Sequence, residues 1–166
     1  MMRRLSILLA CALLSACGLR PVYSGGSDGA VAQLLRTIQV GSIEGQSGWL
    51  VRNRLVERLE AGEAIEPRYR LDVTLDDNLT SFGIRGDRAA TRERRTLRAR
   101  YRLVSLATGL VVLDATAGSD AGIDVVSSEY ATVAAEQSAL ENLAGILADQ
   151  IVARLASFGG GVRTAP

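Results

Sequence analysis

Two stretches of strict alternation between apolar and polar residues constrain the fold of this chain more than any other feature. In residues 68–76, and in residues 96–106 as far as Leu103, every second side chain is apolar. Because successive side chains of a β-strand point to opposite faces, the pattern predicts two strands that are each buried on one face only. The predicted inward residues are Tyr69, Leu71, Val73, Leu75, Leu97, Ala99, Tyr101 and Leu103.

Two amphipathic segments are predicted to cover that apolar face. The first helix is expected over residues 48–61, with Ser47 as its N-cap and Gly62 at its end, and it carries an apolar stripe of Val51, Leu55 and Leu59. The second is expected over residues 129–158, between Ser128 as N-cap and the glycines 159–161. Its stripe comprises Val133, Leu140, Leu143, Leu147, Ile151, Val152, Leu155 and Phe158.

Further strands complete the sheet. Residues 36–43 are predicted as a short first strand, with Ile38 and Val40 on one face. Residues 107–109 form a tight hairpin loop, followed by a return strand from Leu110 to about Ala117, with Val125 as its furthest limit. Residues 78–91 are expected to extend the two alternating strands into a protruding hairpin. The order strand, helix, three strands, helix predicts an α+β two-layer sandwich, with a roughly four-stranded sheet and two helices packed on one face.

The N-terminus has the composition of an export signal. Arg3 and Arg4 precede a short apolar run, which is typical of a secretory signal peptide and is shorter than the roughly 20 residues that span a bilayer. The sequence Leu-Ser-Ala-Cys at residues 14–17 resembles the bacterial lipobox, in which the cysteine is acylated and becomes the first mature residue. An ordinary signal peptide with a chance cysteine is the alternative. Gly18 in place of Asp is typical of lipoproteins bound for the outer membrane.

The predicted domain organisation follows from these features. Residues 1–16 are a lipoprotein signal peptide, and residues 17–30 contain the acylated Cys17 and a flexible Gly/Ser-rich linker. Residues 31–158 form a single α+β domain, and residues 159–166 form a loose C-terminal tail.

Composition argues against several functional classes. The chain has no His, and its two cysteines are Cys11 in the signal and Cys17, so neither a catalytic imidazole nor a disulfide is expected in the domain. Neighbouring Asp76 and Asp77 would point to opposite faces of a strand, and no nucleophile or phosphate-binding motif is present. Without the signal, the 19 basic residues fall to 17 against 18 acidic ones, which argues against a nucleic-acid partner. We expect no enzyme activity, no cofactor and no metal.

Arginines are concentrated before and within the second alternating strand. Eight lie between residues 85 and 102, opposed in that segment by Asp87 and Glu93 alone. Arg98, Arg100 and Arg102 share one predicted strand face. One interpretation is a solvated face relieved by Asp72, Asp76 and Asp114 on neighbouring strands. The other is a site for an anionic partner, either lipopolysaccharide or an acidic protein surface, because arginine binds phosphate bidentately. The candidate contacts are Arg92, Arg94, Arg95, Arg98, Arg100 and Arg102, with Arg68 and Arg70 as possible neighbours.

Several segments together resemble the LptE family of lipopolysaccharide-assembly lipoproteins, in its alphaproteobacterial form. They are Cys-Gly-Leu-Arg-Pro-Val-Tyr at 17–23, Pro-Arg-Tyr-Arg-Leu-Asp-Val-Thr-Leu at 67–75, Tyr-Arg-Leu-Val at 101–104 with Ala-Thr-Gly at 107–109, Tyr-Ala-Thr at 130–132 and Ala-Arg-Leu at 153–155. The Gly-rich C-terminus departs from the more aromatic family endings.

The resemblance implies a two-layer α+β fold and a functional role. A family member sits inside the large outer-membrane β-barrel LptD, helps that barrel assemble and assists delivery of lipopolysaccharide to the cell surface. The resemblance also implies that basic residues bind lipopolysaccharide, but it does not identify which arginines do so. The expected partners are therefore an LptD-like barrel, lipopolysaccharide and the lipid bilayer through Cys17. The alternative is an accessory lipoprotein of another envelope system, such as a lipid-transport ABC complex or a cell-wall synthase activator.

Overall fold

The computed structural model describes residues 29–59, 66–84 and 90–162, and within them the chain forms three helices and one four-stranded sheet. In chain order the elements are α1 (Ala30–Arg36), β1 (Ile38–Val40), α2 (Gly45–Leu59), β2 (Tyr69–Ile84), β3 (Ala90–Ser105), β4 (Val111–Asp124) and α3 (Glu129–Val162). The strands lie in the order β1-β2-β3-β4, with β1 parallel to β2 and the other pairs antiparallel. The predicted α+β class is confirmed.

The core lies between one face of the sheet and the helices. Every predicted inward residue of β2 and β3 belongs to this core or packs against it, and Leu71, Leu97 and Leu103 are fully buried. From the helix layer, α2 contributes Val51, Leu55 and Leu59, as its spacing predicted. Helices α2 and α3 pack against each other, and α3 lies over β3 and β4. The sheet therefore has one covered face and one open face, which we call the outer face.

The N-terminal elements differ from the prediction. Residues 30–36 form the short helix α1, for which the sequence predicts no helix, and the first strand spans only Ile38–Val40. Helix α2 begins at Gly45, so Ser47 lies inside its first turn and is not the N-cap. The backbone of Gly45 has a φ of 80°, a conformation that glycine adopts without strain, and this turns the chain into the helix earlier than expected.

Helix α3 is longer than predicted. Its start is confirmed, because the Ala131 backbone N–H donates to Ser128 Oγ at 3.4 Å in an N-cap. Its predicted end at the glycines is wrong, since the helix continues to Val162. Gly159 packs against Leu34 of α1, so tertiary contact outweighs the poor helix propensity of glycine. Within the predicted stripe Val133 is an exception, because it is 55% exposed.

The protruding hairpin is confirmed as far as the structure describes it. Strands β2 and β3 stay paired to Ile84 and Ala90, and β4 runs to Asp124. Several predictions lie outside the described residues: the signal peptide, Cys17, most of the linker, the helix end at Gly62, Arg85, Arg88 and residues 163–166. Among the described helices, none is long and apolar enough to cross a membrane.

Candidate functional site

The outer face of the sheet carries most of the predicted arginines. Strand β3 places Arg92, Arg94, Arg98, Arg100 and Arg102 there, because they alternate with the inward residues of the strand. All five are exposed. Arg70 joins them from β2. The sheet therefore brings together the arginines that the sequence pattern placed on one face.

Arg95, a predicted contact, does not belong to this group. Its odd position in β3 directs it to the helix side, where its side chain is 17% exposed. The guanidinium donates to both carboxylate oxygens of Asp77, at 2.9 and 2.8 Å, and Nη1 reaches the Glu136 carbonyl of α3 at 3.5 Å. The hydrogen bonds that the Asp77 carboxylate accepts raise the pKa of Arg95 above its ordinary value, so the guanidinium stays charged. Arg95 thus links the sheet to α3 and is not available to a ligand on the outer face.

Aspartates from the flanking strands offset most of the positive charge on the outer face. Arg100 donates to both oxygens of Asp114 at 3.1 and 2.9 Å. Three more ion pairs join Arg92 to Asp124 (3.1 Å), Arg94 to Asp120 (3.8 Å) and Arg70 to Asp72 (2.8 Å). The outer-face arginines 70, 92, 94, 98, 100 and 102 thus lie among the aspartates 72, 76, 114, 120 and 124. The charge is close to balanced, unlike the strongly positive count along the segment alone.

Arg98 and Arg102 differ from the other arginines of this face. Within the described part of the chain, neither guanidinium makes an ion pair with a carboxylate. Arg102 lies in register with Asp72 and Asp114, but these carboxylates are bonded to Arg70 and Arg100. These two arginines therefore retain donors for an external anion.

Arg98 lies across β4 and borders a groove. Its Nη1 donates to the Ser119 carbonyl at 3.1 Å, and the side chain occupies the space above Gly118, where a Cβ atom would collide with it. The groove has a volume of about 850 Å³ and opens on the outer face. Its polar lining comprises Thr74, Asp76, Arg98, Arg100, Thr116, Ser119, Asp120 and Gln150.

The pair formed by Arg100, which lines this groove, and Asp114 carries fixed charges. The hydrogen bonds from Arg100 hold the pKa of the Asp114 carboxyl below its ordinary value, and the same bonds raise the pKa of Arg100. Both groups therefore remain ionised at neutral pH. A groove with fixed guanidinium donors is suited to binding an anion through charge-assisted hydrogen bonds.

The open edge of β4 is partly closed by a side chain of α3. Gln150 Oε1 accepts from the Gly118 backbone N–H at 3.1 Å, and its Nε2 donates to the Gly118 carbonyl at 3.4 Å. An edge strand otherwise offers such groups to another chain. The periodicity of α3 placed Gln150 on its polar face, and only the register of β4 shows what it contacts. In the part of the chain that the structure describes, no cluster of three His, Cys, Asp or Glu side chains is placed to hold a metal ion.

Solved structures share this architecture. A putative lipoprotein from Caulobacter crescentus CB15 superposes with a TM-score of 0.67 at 27% identity, covering 82% of this chain and 100% of that one. Rare lipoprotein B from Shewanella oneidensis gives a TM-score of 0.59 at 11% identity, covering 76% of this chain and 98% of its own length. A minor lipoprotein from Acinetobacter baumannii gives 0.55 at 11% identity, covering 74% and 92%. The two structures at 11% identity show a shared fold and nothing further.

No curated protein matches the chain. A sequence profile described as "LptE: Lipopolysaccharide-assembly" matches residues 35–155, which is well over half of the chain and runs from the end of α1 to the last turns of α3. The match includes both alternating strands and the arginines of the outer face. The chain belongs to the LptE lipopolysaccharide-assembly family.

Proposed function

We propose that this chain is an outer-membrane lipoprotein, acylated at Cys17, which plugs an LptD-like β-barrel, helps that barrel assemble and assists delivery of lipopolysaccharide to the cell surface. The observation that carries the proposal is the family match over residues 35–155. The role is one of binding and assembly, without catalysis.

The outer face supports a place inside a barrel. The interior of a large outer-membrane barrel is polar, so a plug needs a polar surface of comparable extent. Strands β2, β3 and β4 supply one, with alternating Arg and Asp side chains and exposed Thr74 and Thr116. Such a surface also tolerates water in the remaining space, unlike an apolar face.

Arg98 and Arg102 are the proposed anion contacts. They lie four residues apart on one face of β3, so their Cα atoms are separated by about 13 Å at 3.3 Å per residue. Phosphate groups on lipopolysaccharide, or carboxylates on the barrel wall, match the guanidinium donors. Arg92, Arg94 and Arg100 stand beside them but already have carboxylate partners, and Arg95 acts within the domain.

The first experiment is affinity purification of the tagged full-length chain from detergent-solubilised outer membranes, followed by mass spectrometry and a lipopolysaccharide assay. We expect a stoichiometric large β-barrel and lipopolysaccharide to copurify. Purification without a barrel, or with an inner-membrane transporter or a cell-wall synthase, would contradict the plug role and favour another envelope system.

A charge variant then tests the outer face. Replacing Arg98, Arg100 and Arg102 together with Gln should reduce recovery of the barrel or of lipopolysaccharide, while the thermal unfolding midpoint changes little because the three side chains are exposed. The matched control replaces the exposed helix-layer arginines 52, 54 and 154 with Gln, which removes the same charge elsewhere. Undiminished recovery of both ligands in the first variant would overturn the role of this face.

A narrower variant avoids leaving an aspartate unpaired. Replacing only Arg98 and Arg102 with Gln keeps the Arg100–Asp114 pair intact. If these two residues are the main contacts, the double variant should lose as much lipopolysaccharide as the triple variant. Loss only in the triple variant would assign the contact to Arg100.

A further inference from the structure

The loop between β3 and β4 presents a group of exposed apolar side chains. We call residues 105–112 the hairpin tip. Within it Leu110 is 66% exposed, Val111 48%, Leu106 43% and Val112 38%. No charged residue occurs between Ser105 and Leu113. Single exposed apolar residues are ordinary, but four of them within one charge-free segment of seven residues indicate a contact surface.

Backbone hydrogen bonds hold the hairpin tip in this shape. The Ser105 N–H donates to the Leu110 carbonyl at 2.9 Å, and the Gly109 N–H donates to the Ser105 carbonyl at 2.8 Å. Gly109 has a φ of 70°, which closes the turn. The Leu106 N–H donates to the Arg68 carbonyl at 2.9 Å and fixes the loop to the start of β2. The apolar side chains are therefore held outward on a supported turn.

The hairpin tip lies at the end of the sandwich where the chain enters the domain. The Thr37 carbonyl, just after α1, accepts from the backbone N–H groups of Arg68 and Tyr69, and Arg68 in turn holds the tip. Ala30 and Arg68 line one surface cavity, so the first residue of α1 lies beside the same segment. Residues 18–28 separate Gly29 from Cys17, a span of at most about 40 Å at 3.3–3.6 Å per residue. This is the end that a tether at Cys17 holds closest to a bilayer.

The charges around the base of the tip suit a lipid surface. Arg68 and Arg102 are exposed within a few residues of the tip, and Arg70 lies opposite Val104. Asp72 and Asp114 are paired with Arg70 and Arg100, which leaves Glu66 as the nearby carboxylate without an ion pair among the described residues. Apolar side chains flanked by arginines match the arrangement of acyl chains beneath phosphate groups.

We propose that the hairpin tip inserts into the interfacial layer of a phospholipid bilayer beside the acylated Cys17. The inference rests on the proposed acylation of Cys17. The lipid chains are then one attachment to the membrane, and the hairpin tip is a second. A flexible tether alone leaves the domain free to rotate, whereas two attachments at one end fix its long axis relative to the membrane. The outer face then stands at a defined angle to the bilayer.

A single-cysteine label tests this in the mature full-length lipoprotein. An acylated Cys17 has no reactive thiol, so Leu110→Cys gives one site for an environment-sensitive fluorophore such as nitrobenzoxadiazole. The matched control is Thr116→Cys, an exposed position on the outer face of β4. On vesicles of phosphatidylethanolamine and phosphatidylglycerol we expect a blue shift of the Leu110→Cys label, with loss of fluorescence when lipids carry a nitroxide quencher. The Thr116→Cys label should change little.

The outcomes distinguish a failure of tip insertion from a failure of the proposed acylation. If the protein floats with vesicles but the emission of the Leu110→Cys label is neither shifted nor quenched, the tip does not insert. Attachment through Cys17 is then unaffected. A blue shift without quenching by nitroxide lipids would assign the tip to a protein contact and overturn the inference. If the parent chain takes up label at Cys17 or fails to float, the acylation is wrong and the inference fails with it. Because Leu110 is largely exposed, circular dichroism of the labelled variant should match the parent.

Discussion

At the scale of single residues, Gly118 determines how Arg98 lies on the outer face. A Cβ atom at position 118 would come within 2.7 Å of Arg98 Nη1 and still closer to its Cδ. We therefore expect Gly118→Ala to displace the guanidinium from the Ser119 carbonyl and to change anion binding in the groove. Gly122→Ala is the matched control on the same strand face, because nothing lies within 4 Å of its added carbon. NMR of the arginine Nε–H groups should report a change at Arg98 in the first variant only, and a changed spectrum in both would contradict this account.

A second prediction at this scale concerns the titration of Asp114. Its hydrogen bonds from Arg100 lower the pKa of the carboxyl below the ordinary 3.8. The stabilisation by this carboxylate is therefore complete above about pH 3.8 and is lost as the pH falls through the lowered pKa. A carboxyl carbon titration by NMR should place the wild-type pKa below 3.8 and move it upward in Arg100→Gln. The Arg52→Gln control should leave it unchanged, and an unshifted value in Arg100→Gln would show that Arg100 is not the cause.

At the scale of elements, α3 contributes more buried apolar residues to the core than any other described element. Leu147 is completely buried, whereas its neighbour Ile146 is 44% exposed. Leu147→Ala should lower the free energy of unfolding by about 2–5 kcal/mol, because it removes buried methyl groups and leaves a cavity. Ile146→Ala should have a much smaller effect. Urea unfolding of both variants measures the difference, and equal losses would mean that α3 packs on the sheet by another face.

The same elements show what periodicity reveals and what it does not. Alternation predicted the inward residues of β2 and β3, since the period of two is set by strand geometry alone. Helix α1 escaped prediction because its 7 residues cover less than two turns and provide little periodic signal. The extension of α3 through Gly159 depends on Leu34, a residue distant in sequence.

For the arginines of the outer face, strand parity predicts the face but not the partners. The parity of β3 placed Arg98 and Arg102 on the outer face, and it would also have placed Arg95 on the opposite one. The partners Asp120 and Asp124 depend on the register between β3 and β4, which no local pattern specifies. A register cannot be read from alternation, because a shift by two residues preserves every inward side chain.

At the scale of the whole molecule, charged contacts within one element differ from those that join two elements. Exposed pairs such as Arg54–Glu57 lie within one helix, with side chains 47% and 66% exposed. The Arg95–Asp77 pair is mostly buried and lies between β2, β3 and the α3 backbone. Pairs of the first kind contribute little to stability, whereas breaking a shielded pair leaves an uncompensated charge. The Arg95–Asp77 pair therefore contributes to the link between the sheet and α3 near the hairpin.

Removing one partner of that pair should be more harmful than removing both. Asp77→Asn leaves the shielded Arg95 without its carboxylate, and we expect a loss of about 1–3 kcal/mol in the free energy of unfolding. The double variant Asp77→Leu with Arg95→Leu replaces both charges by apolar side chains between sheet and helix, so it should recover much of that loss. Glu57→Gln, which breaks the exposed Arg54 pair, should change stability by less than about 1 kcal/mol. A double variant less stable than Asp77→Asn would show that the ion pair itself stabilises the contact between layers, since its replacement by apolar contacts would then be the costlier change.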